Sequence, residues 1–237
     1  MDDSERVLED VLHQLRSPLV AAISRIGLVM PYVLRSPIEK DLRVIRGLCE
    51  KASRVAANAG IYAQFHSSAQ EFAARPTPIT HAEMLRMLVE SAVDAEALMD
   101  PRHHVSFQVD RSSIDVTELD ADLALVTQAV QNLLDNAAKY SYANTVVNIR
   151  MKRTRRSIGI EVTNIGLTLR PPDHQLCLER GWRSEEARLV TAEGSGIGLW
   201  VTNHIMAAHN GRVEVTPTAA DGLTRIALLF PATDGAI

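Results

Sequence analysis

One predicted helix carries a row of amide side chains that ends in a lysine. In the stretch LVTQAVQNLLDNAAKYS, four polar residues follow one another at spacings of four, four and three: Gln128, Asn132, Asn136 and Lys139. These spacings put them on one helix face. Amide oxygens are hard ligands suited to Mg²⁺, and a lysine beside them can hold phosphate. A polar stripe that faces solvent is the alternative reading, although glutamate and lysine are commoner on a plain surface.

A glycine-rich turn lies later in the chain, in AEGSGIGLWVTNHI. Gly194, Gly196 and Gly198 alternate directly before an apolar helical pattern. Glycine lets the backbone approach a ligand closely, and a helix start offers free N–H groups and a positive dipole end to phosphate. Such turns also serve as simple loops. This one does not follow a strand directly, which argues against a dinucleotide-binding βαβ unit.

A histidine stands in the N-terminal stretch LHQLRSPLVAA. His13 follows Leu12 and therefore lies on the flank of an apolar stripe, where another domain can reach its imidazole. Histidine has an ordinary pKa of about 6.5, so the ring is mostly neutral at pH 7 and one nitrogen is free to attack phosphorus. Pro18 removes a backbone hydrogen bond one turn later, which predicts a bend. From these residues alone, a surface histidine is the simpler reading.

Two long helices must position His13. Apolar residues recur every three or four positions over residues 4–30, and a second stripe runs from Ile38 to Phe72. Pro31 and Pro37 bracket a turn between them. A hairpin of two such helices cannot bury both stripes alone. We therefore expect residues 1–73 to pair with a second copy as a dimeric four-helix bundle.

The rest of the chain alternates between helices and strands. The segment ARPTP, residues 74–78, breaks the helical pattern and is predicted to be a linker. Beyond it we predict helices at His81–Met99, Ala121–Lys139 and Ile197–His209, and strands at Val105–Val109, Thr145–Met151, Ser157–Val162, Arg212–Thr216 and Leu223–Phe230. Helices over a mostly antiparallel sheet make residues 79–237 an α+β two-layer sandwich.

The composition excludes several classes of protein. The net charge is −4, and no apolar run approaches the roughly 20 residues that span a bilayer. The two cysteines, Cys49 and Cys177, lie far apart and fit no metal-ligand spacing. The basic run RMKRTRR, residues 150–156, is predicted to be a solvated hairpin tip. We therefore expect a cytoplasmic protein with no membrane segment and no nucleic-acid partner.

Four features follow one another along the chain: QNLLDNAAKYS, a strand pair, ERGWRS and EGSGIGL. This order resembles the ATP-binding domain of bacterial sensor histidine kinases, which belongs to the wider ATPase group of gyrase, Hsp90 and MutL. HQLRSPL resembles the phosphoacceptor motif of these kinases, whose dimerising hairpin precedes the ATP domain. The resemblance covers nearly the whole chain. It implies a homodimeric, ATP-dependent histidine kinase that uses Mg²⁺, autophosphorylates His13 and passes the phosphoryl group to an aspartate of a response-regulator receiver domain.

The resemblance also implies roles for single residues. Asn136 would ligand the Mg²⁺ that bridges the nucleotide phosphates, and Asn132 would support the site. Lys139 and Tyr140 would line the phosphate and nucleotide side. The other positions that the family pattern assigns to the nucleotide are Asn164, Gly166, Gly194, Gly196, Gly198 and Leu199. Residues 165–193 would form the lid over ATP.

The sequence departs from the family pattern near the histidine and at the adenine pocket. Relatives usually carry an acid at the position of Gln14, and an amide cannot accept the imidazole proton. A positioned general base is worth ~10²–10⁴ in rate, so autophosphorylation is expected to be slow or to use another base. Ser17 stands where many relatives have threonine or asparagine, which position water for dephosphorylating the partner. Asn164 replaces an aspartate that binds the adenine amino group; its carbonyl can accept the same bond, more weakly.

These departures keep a second hypothesis open. The chain would then be a degenerate kinase that acts as a dimeric phosphotransfer or docking scaffold for a response regulator. The intact amide row and glycine-rich turn argue against full decay of the site. A third hypothesis, an ATPase or protein kinase of the wider group acting on another substrate, is opposed by the HQLRSPL stretch.

Overall fold

The computed structural model describes residues 19–66, 73–97, 99, 103–111, 118–190, 195–218 and 222–232. The chain forms two compact units that divide between Phe72 and Ala73. The first unit is helical, and the second combines helices with β-sheet, which confirms the predicted fold class. None of the helices in the described ranges is long and apolar enough to cross a bilayer.

The first unit contains two helices joined by a short turn. Helix α1 is described over residues 19–33 and helix α2 spans Pro37–His66. Arg35 adopts a φ of 67° in the turn, and its N–H donates to the carboxylate of Glu39 at 2.6 Å. The turn is shorter than predicted because α1 continues through Pro31. That proline lies in the last turn of the helix, which ends two residues later.

The second unit has two layers. Its helices are α3 (His81–Ala97), α4 (Leu123–Tyr140), α5 (Asp173–Leu176), α6 (Glu185–Val190) and α7 (Gly198–Ala208). Its strands are β1 (Thr77–Thr80), β2 (Val105–Val109), β3 (Glu118–Ala121), β4 (Thr145–Arg153), β5 (Ser157–Ile165), β6 (Arg212–Thr216) and β7 (Leu223–Pro231). A five-stranded sheet runs in the order β2-β4-β5-β7-β6, with only β2 and β4 parallel among its pairs. The mostly antiparallel sheet is therefore confirmed.

A two-stranded sheet of β1 and β3 was not predicted. Thr77 and Pro78, which the sequence pattern assigned to a linker, pair with Ala121 and Asp120. Both strands have four residues, too few for a clear period of two. A proline fits here because β1 pairs along one edge only. Thr80 then begins α3 through a capping box: its hydroxyl and N–H both bond the Glu83 carboxylate, at 2.7 and 2.9 Å.

Helices α3, α4 and α7 form the layer that covers the large sheet, and the core lies between the two layers. Its largest fully buried side chains are Phe230, Leu88, Leu133, Leu134, Ile149, Ile160, Ile205, Met206 and Leu228. Helix α4 contacts both α3 and α7, so it is the central helix of the layer. The position of α4 therefore decides where the predicted amide row lies.

A buried histidine joins the end of α7 to the start of α4. The Nε2 atom of His209 accepts the backbone N–H of Asp122 at 2.9 Å, and Nδ1 lies 2.7 Å from the carbonyl of Ile205. With Nε2 as the acceptor, Nδ1 is the ring nitrogen that can donate to the Ile205 carbonyl. The ring also meets Phe230 edge-on, with centroids 5.8 Å apart. These contacts give His209 a structural role.

A nearly buried carboxylate lies between two basic side chains on the sheet. The side chain of Glu161 is 6% exposed and bonds Arg150 at 2.6 Å and Lys152 at 2.8 Å across the β4–β5 pair. Burial opposes its ionisation, but the hydrogen bonds from Lys152 and Arg150 outweigh burial and lower the pKa of Glu161. The ionised carboxylate therefore contributes to the stability of the sheet.

Candidate functional site

Helix α4 carries most of the predicted site residues. Asp122 precedes the helix, and its carboxylate accepts the N–H groups of Ala124 and Leu125 at 3.1 and 3.2 Å, which fixes where the helix begins. The apolar positions beside the amide row are buried: Val126, Ala129, Val130, Leu133 and Ala137. Because that face packs into the core, the amide row runs along its border.

Asn132 links α4 to the first turn of α7. Its side chain is 4% exposed, and Nδ2 donates to the carbonyl of Gly198 at 3.2 Å and to Oγ1 of Thr202 at 3.4 Å. The Thr202 hydroxyl in turn donates to the same Gly198 carbonyl at 2.9 Å. A buried amide without such partners would be strongly unfavourable. The predicted amide row and the predicted glycine-rich turn therefore meet at this point.

The other three predicted residues of α4 occupy its last two turns. Asn136, Lys139 and Tyr140 are each half-buried. Asn136 follows Asn132 by one turn, so its amide lies on the same side of the helix. Lys139 lies in the last turn, where a cation is favoured by the helix dipole.

The end of α4 is bound to the end of β5. Gly166 bridges Ser141, the N–H of Leu167 donates to the carbonyl of Tyr140 at 2.9 Å, and the N–H of Tyr142 donates to Ile165 at 2.9 Å. A Cβ atom on Gly166 would lie 2.0 Å from the Tyr140 carbonyl oxygen, so only glycine fits. The segment that follows Asn164 is thereby held against the end of α4.

Asn164, the departure from the family pattern, is buried in this junction. Its side chain is 8% exposed, and Nδ2 donates to Oγ of Ser141 at 3.1 Å. Thr224 lies directly opposite on β7 and is equally buried. Neither Ser141 nor Thr224 was predicted as a site residue. The position of Ser141 directly after Tyr140 was the only signal in the sequence that could have indicated its part.

The glycine-rich turn is held by a second glycine from the ERGWRS stretch. Gly196 has a φ of 70°, and the N–H of Gly181, which has the same φ, donates to its carbonyl at 3.1 Å. A Cβ atom on Gly196 would come within 2.6 Å of Gly181. Both glycines are therefore required by backbone conformation or by this close contact. Gly181 was missed because an isolated glycine between charged residues carries no periodic signal.

Helix α7 begins at Gly198, and the first N–H groups of a helix have no acceptor within the helix. Its N-cap residue is Ile197, which has no side-chain acceptor. A Cβ atom on Gly198 would meet Asn132 at 3.8 Å, an ordinary contact, so packing against Asn132 does not require glycine there. Leu199 is half-buried in the same turn. An uncapped helix start without a side chain at its first position can accept an anion.

The predicted lid contains two short helices, α5 and α6. Its start is fixed by a hydrogen bond of 2.8 Å from the Leu169 N–H to Oγ1 of Thr218. Cys177, which follows α5, is 5% exposed, and burial, together with the nearby Asp173 carboxylate, raises the pKa of its thiol to about 12. The thiol donates to the carbonyl of His174 at 3.4 Å. This part of the lid is therefore packed rather than open.

Four predicted site residues lie outside the described residues: His13, Gln14, Ser17 and Gly194. Within the described residues, His, Cys, Asp and Glu side chains form no group of three that could hold a metal ion. The described site thus brings together Asn132 with Gly198, Tyr140 with Gly166, and Asn164 with Ser141. The donors that the sequence pattern assigns to Mg²⁺ are the oxygens of the amide row.

Residues 121–234 match the family described as histidine kinase-, DNA gyrase B-, and HSP90-like ATPase. This part of the chain belongs to that ATPase family. The matched range begins before α4 and ends after β7, so the ATPase domain contains the whole described site. The contacts at the ends of α4 and β5 and at the start of α7 therefore all lie within one ATPase domain.

Sensor kinases are similar to about half of the chain or more. The sensor-like histidine kinase SenX3 of Mycobacterium tuberculosis is 35% identical over 111 residues, which cover 47% of this chain and 27% of SenX3. The sensor histidine kinase Hik2 of Thermosynechococcus vestitus is 26% identical over 238 residues, 98% of this chain and 60% of Hik2. The structure of the mycobacterial sensor histidine kinase MprB matches with a TM-score of 0.53 and 25% identity, over 66% of this chain and 97% of that one. These findings support a sensor histidine kinase catalytic core. The chain spans about a quarter of SenX3 and three-fifths of Hik2.

Proposed function

We propose that the chain is the catalytic core of a two-component histidine kinase that phosphorylates its own His13 from ATP and passes the phosphoryl group to a response regulator. One observation carries the proposal most strongly. The ATPase domain brings the amide row into contact with the glycine-rich turn through Asn132 and Gly198, at 3.2 Å. Those two segments are the ones whose residue types suit phosphate and Mg²⁺.

The adenine base would bind at the end of α4. The carbonyl of Asn164 would accept a hydrogen bond from the exocyclic amino group, and Tyr140 would line the same pocket. Gly166 lets these two segments lie close together, since no larger residue fits beside the Tyr140 carbonyl. The base would thus be oriented by groups that are already fixed before it binds.

The phosphates would bind at the start of α7. The uncapped N–H groups from Gly198 onward, with Leu199 in the same turn, offer hydrogen bonds and a positive dipole end. Lys139 would add a point charge. The space at Gly198 would let a phosphate oxygen approach the backbone closely, which explains a glycine that packing does not require.

The ATPase family implies a magnesium ion, and the available donors fit one. Mg²⁺ commonly takes one or two protein oxygens and completes its shell with phosphate oxygens and water. The amide oxygen of Asn136 would be the protein ligand, and Asn132 would keep α4 and α7 in register around it. When bound, the ion would neutralise charge on the phosphates.

Phosphoryl transfer needs positioning and charge neutralisation more than covalent help. A neutral ring nitrogen of His13 would attack the γ-phosphorus while the bond to the β–γ bridging oxygen breaks and ADP leaves. The ring must also lose its N–H proton, and solvent water would accept it because Gln14 cannot. In the second transfer, an aspartate oxygen of the receiver domain would attack the phosphorus, the P–N bond would break, and the ring would regain a proton. Ser17 would position the water that later hydrolyses the aspartyl phosphate.

The helical unit would form a homodimer. Four apolar side chains on α2 are 47–63% exposed: Ile38, Ile45, Leu48 and Val55. Their spacings of seven, three and seven match a coiled-coil seam. A second copy of the same unit would bury this seam in a four-helix bundle, as the sequence pattern predicts.

The decisive experiment incubates the protein with Mg²⁺ and γ-labelled ATP beside His13→Ala. Acid-labile label on the parent and none on the variant is the expected result. ATP binding by calorimetry without any label, even after addition of receiver domains, would favour the docking scaffold. Absence of both label and ATP binding would overturn the proposed function. Asn136→Ala is a useful second variant, because it should lose label although His13 is intact.

A further inference from the structure

The side chain of Asn164 can present either a donor or an acceptor to a ligand, whereas an aspartate at the same position could present only an acceptor. A carboxylate presents two acceptors, whereas an amide presents one acceptor and one donor group. Which of the two faces the base pocket decides which bases can bind. Adenine offers an exocyclic amino donor, and guanine offers a carbonyl oxygen at the corresponding position.

In the structure, the amide of Asn164 turns its nitrogen toward Ser141. Nδ2 of Asn164 donates to Oγ of Ser141 at 3.1 Å, which leaves Oδ1 as the amide atom that can accept a bond from a ligand. Both side chains are at least nine-tenths buried, with 8% and 3% exposed. Water therefore does not compete easily for the bond.

The hydroxyl is itself held in place by the backbone around it. The N–H of Ser141 donates to the carbonyl of Ala137 at 3.0 Å, and Nε2 of His103 lies 3.0 Å from the Ser141 carbonyl oxygen. The residue also bridges Gly166. The Ser141 side chain thus starts from a backbone fixed by α4, by β5 and by the segment before β2.

We propose that Ser141 is a positioning residue that turns the carbonyl of Asn164 toward the base and so makes the site select adenine over guanine. The inference rests on the proposed function, because it assumes that a nucleotide binds here. With the hydroxyl removed, the amide can rotate and present Nδ2 to the guanine carbonyl oxygen. Discrimination between the two bases then falls.

Titration calorimetry of the purified chain with Mg-ATP and with Mg-GTP tests the proposal. The parent is expected to bind ATP at least tenfold more tightly than GTP, and Ser141→Ala is expected to lower that ratio about tenfold, as for the loss of one net hydrogen bond. Ser141→Thr keeps the hydroxyl and should keep the ratio. If Ser141→Ala does not fold, Ser141→Cys makes the same test, since a thiol is a weak acceptor.

A second background separates positioning from a general effect on the pocket. In Asn164→Asp the side chain is acceptor-only in either orientation, so adding Ser141→Ala should leave the ATP to GTP ratio unchanged. An equal loss of discrimination in both backgrounds would overturn the proposal, as would an unchanged ratio in Ser141→Ala. Equal binding of the two nucleotides by the parent would also overturn it, because the Ser141 hydroxyl would then not hold the Asn164 carbonyl toward the base. Failure of the parent to bind either nucleotide would instead refute the proposed function.

Discussion

The side-chain amide of Asn132 donates a 3.2 Å hydrogen bond to the carbonyl of Gly198, the first residue of α7. An amide that sequence periodicity placed on a polar helix face is thus turned toward a second helix and away from solvent. The bond connects the part of the site that suits a metal to the part that suits phosphate. Stability of the domain and geometry of the site consequently depend on the same side chain.

Asn132→Ala should therefore reduce both stability and nucleotide binding. The change removes the two bonds from Nδ2 at a buried position, and we expect the free energy of unfolding to fall by about 1–3 kcal/mol. Urea denaturation and ATP titration would measure the two effects. Asn148→Ala is a matched control, because Asn148 is exposed on β4 and its loss should change stability by less than about 0.5 kcal/mol. Equal effects at both positions would contradict the role assigned to Asn132.

Gly166→Ala should be one of the most damaging small substitutions in the domain. Its Cβ atom would lie 2.0 Å from the Tyr140 carbonyl oxygen, so the contact between α4 and β5 must open, at a cost of about 3 kcal/mol or more. Gly27→Ala is the control: no atom lies within 4 Å of its Cβ position in α1, and alanine should gain about 0.5–1 kcal/mol there. Calorimetric melting of both variants would show changes of opposite sign. A melting temperature for Gly166→Ala close to that of the parent would contradict the assigned contact.

Acid should weaken the fold partly through Glu161. Its folded pKa lies below the unfolded value of about 4.5, so the ionised group stabilises the protein above that pH and the contribution disappears as pH falls through the folded pKa. Glu161→Gln should accordingly lower stability by about 2 kcal/mol at pH 7 and much less near pH 3. Denaturation at several pH values measures the difference. Glu214→Gln is the control, because Glu214 is 46% exposed and lies 3.9 Å from Lys152. Its effect on stability should change little with pH. A similar pH profile for both variants would argue against the buried network.

His209→Phe should loosen the connection between α7 and α4. Phenylalanine keeps a ring beside Phe230 but cannot accept the Asp122 N–H or donate to Ile205, and we expect a loss of about 1–3 kcal/mol. His204→Phe provides a comparison on the same helix. It keeps a ring against Trp200, with centroids 4.0 Å apart, and loses only a half-buried bond of 2.8 Å from Nδ1 to the Trp200 carbonyl among the bonds described for His204. Thermal melting should rank His209→Phe as clearly the less stable. The reverse order would show that the buried hydrogen bonds contribute little.

Charges placed on the exposed seam of α2 should prevent dimer formation. Leu48→Glu combined with Val55→Glu would bury two carboxylates in each subunit of a four-helix bundle, which is strongly unfavourable. Light scattering coupled to size exclusion should show a monomer for this variant and a dimer for the parent. Leu189→Glu tests specificity, because Leu189 is 87% exposed in the other unit and should leave the dimer intact. A parent that is monomeric at micromolar concentration would refute the seam.

Long elements with strong periodicity were predictable from the sequence, whereas short ones were not. Strand β2 and strand β6 begin and end at the predicted residues, and α4 differs by two residues at one end and one at the other. The pairing of β1 with β3 was missed because four-residue strands, one with a proline, have no readable period. Pro31 was read as a helix end, although a proline in a last turn does not stop a helix.

The candidate site was predictable in its residue types but not in its partners. The spacing of Asn132 and Asn136 follows from 3.6 residues per turn, and this placed them on one face. No pattern in the sequence could show that Asn132 meets Gly198, 66 positions away, or that Ser141 meets Asn164. Such contacts depend on how α4, α7 and β5 pack, which a local signal does not contain.

The thiol of Cys177 can report when the segment around α5 opens. At neutral pH its thiol is protonated and screened by the residues around α5, so a soluble alkylating reagent can modify it only while that segment is detached. The modification rate then equals the rate for a free thiol multiplied by the fraction of molecules that are open. Cys49 lies in α2 and would give a separate adduct. Mass spectrometry of the native chain could therefore count opening events, with and without nucleotide, without any introduced label.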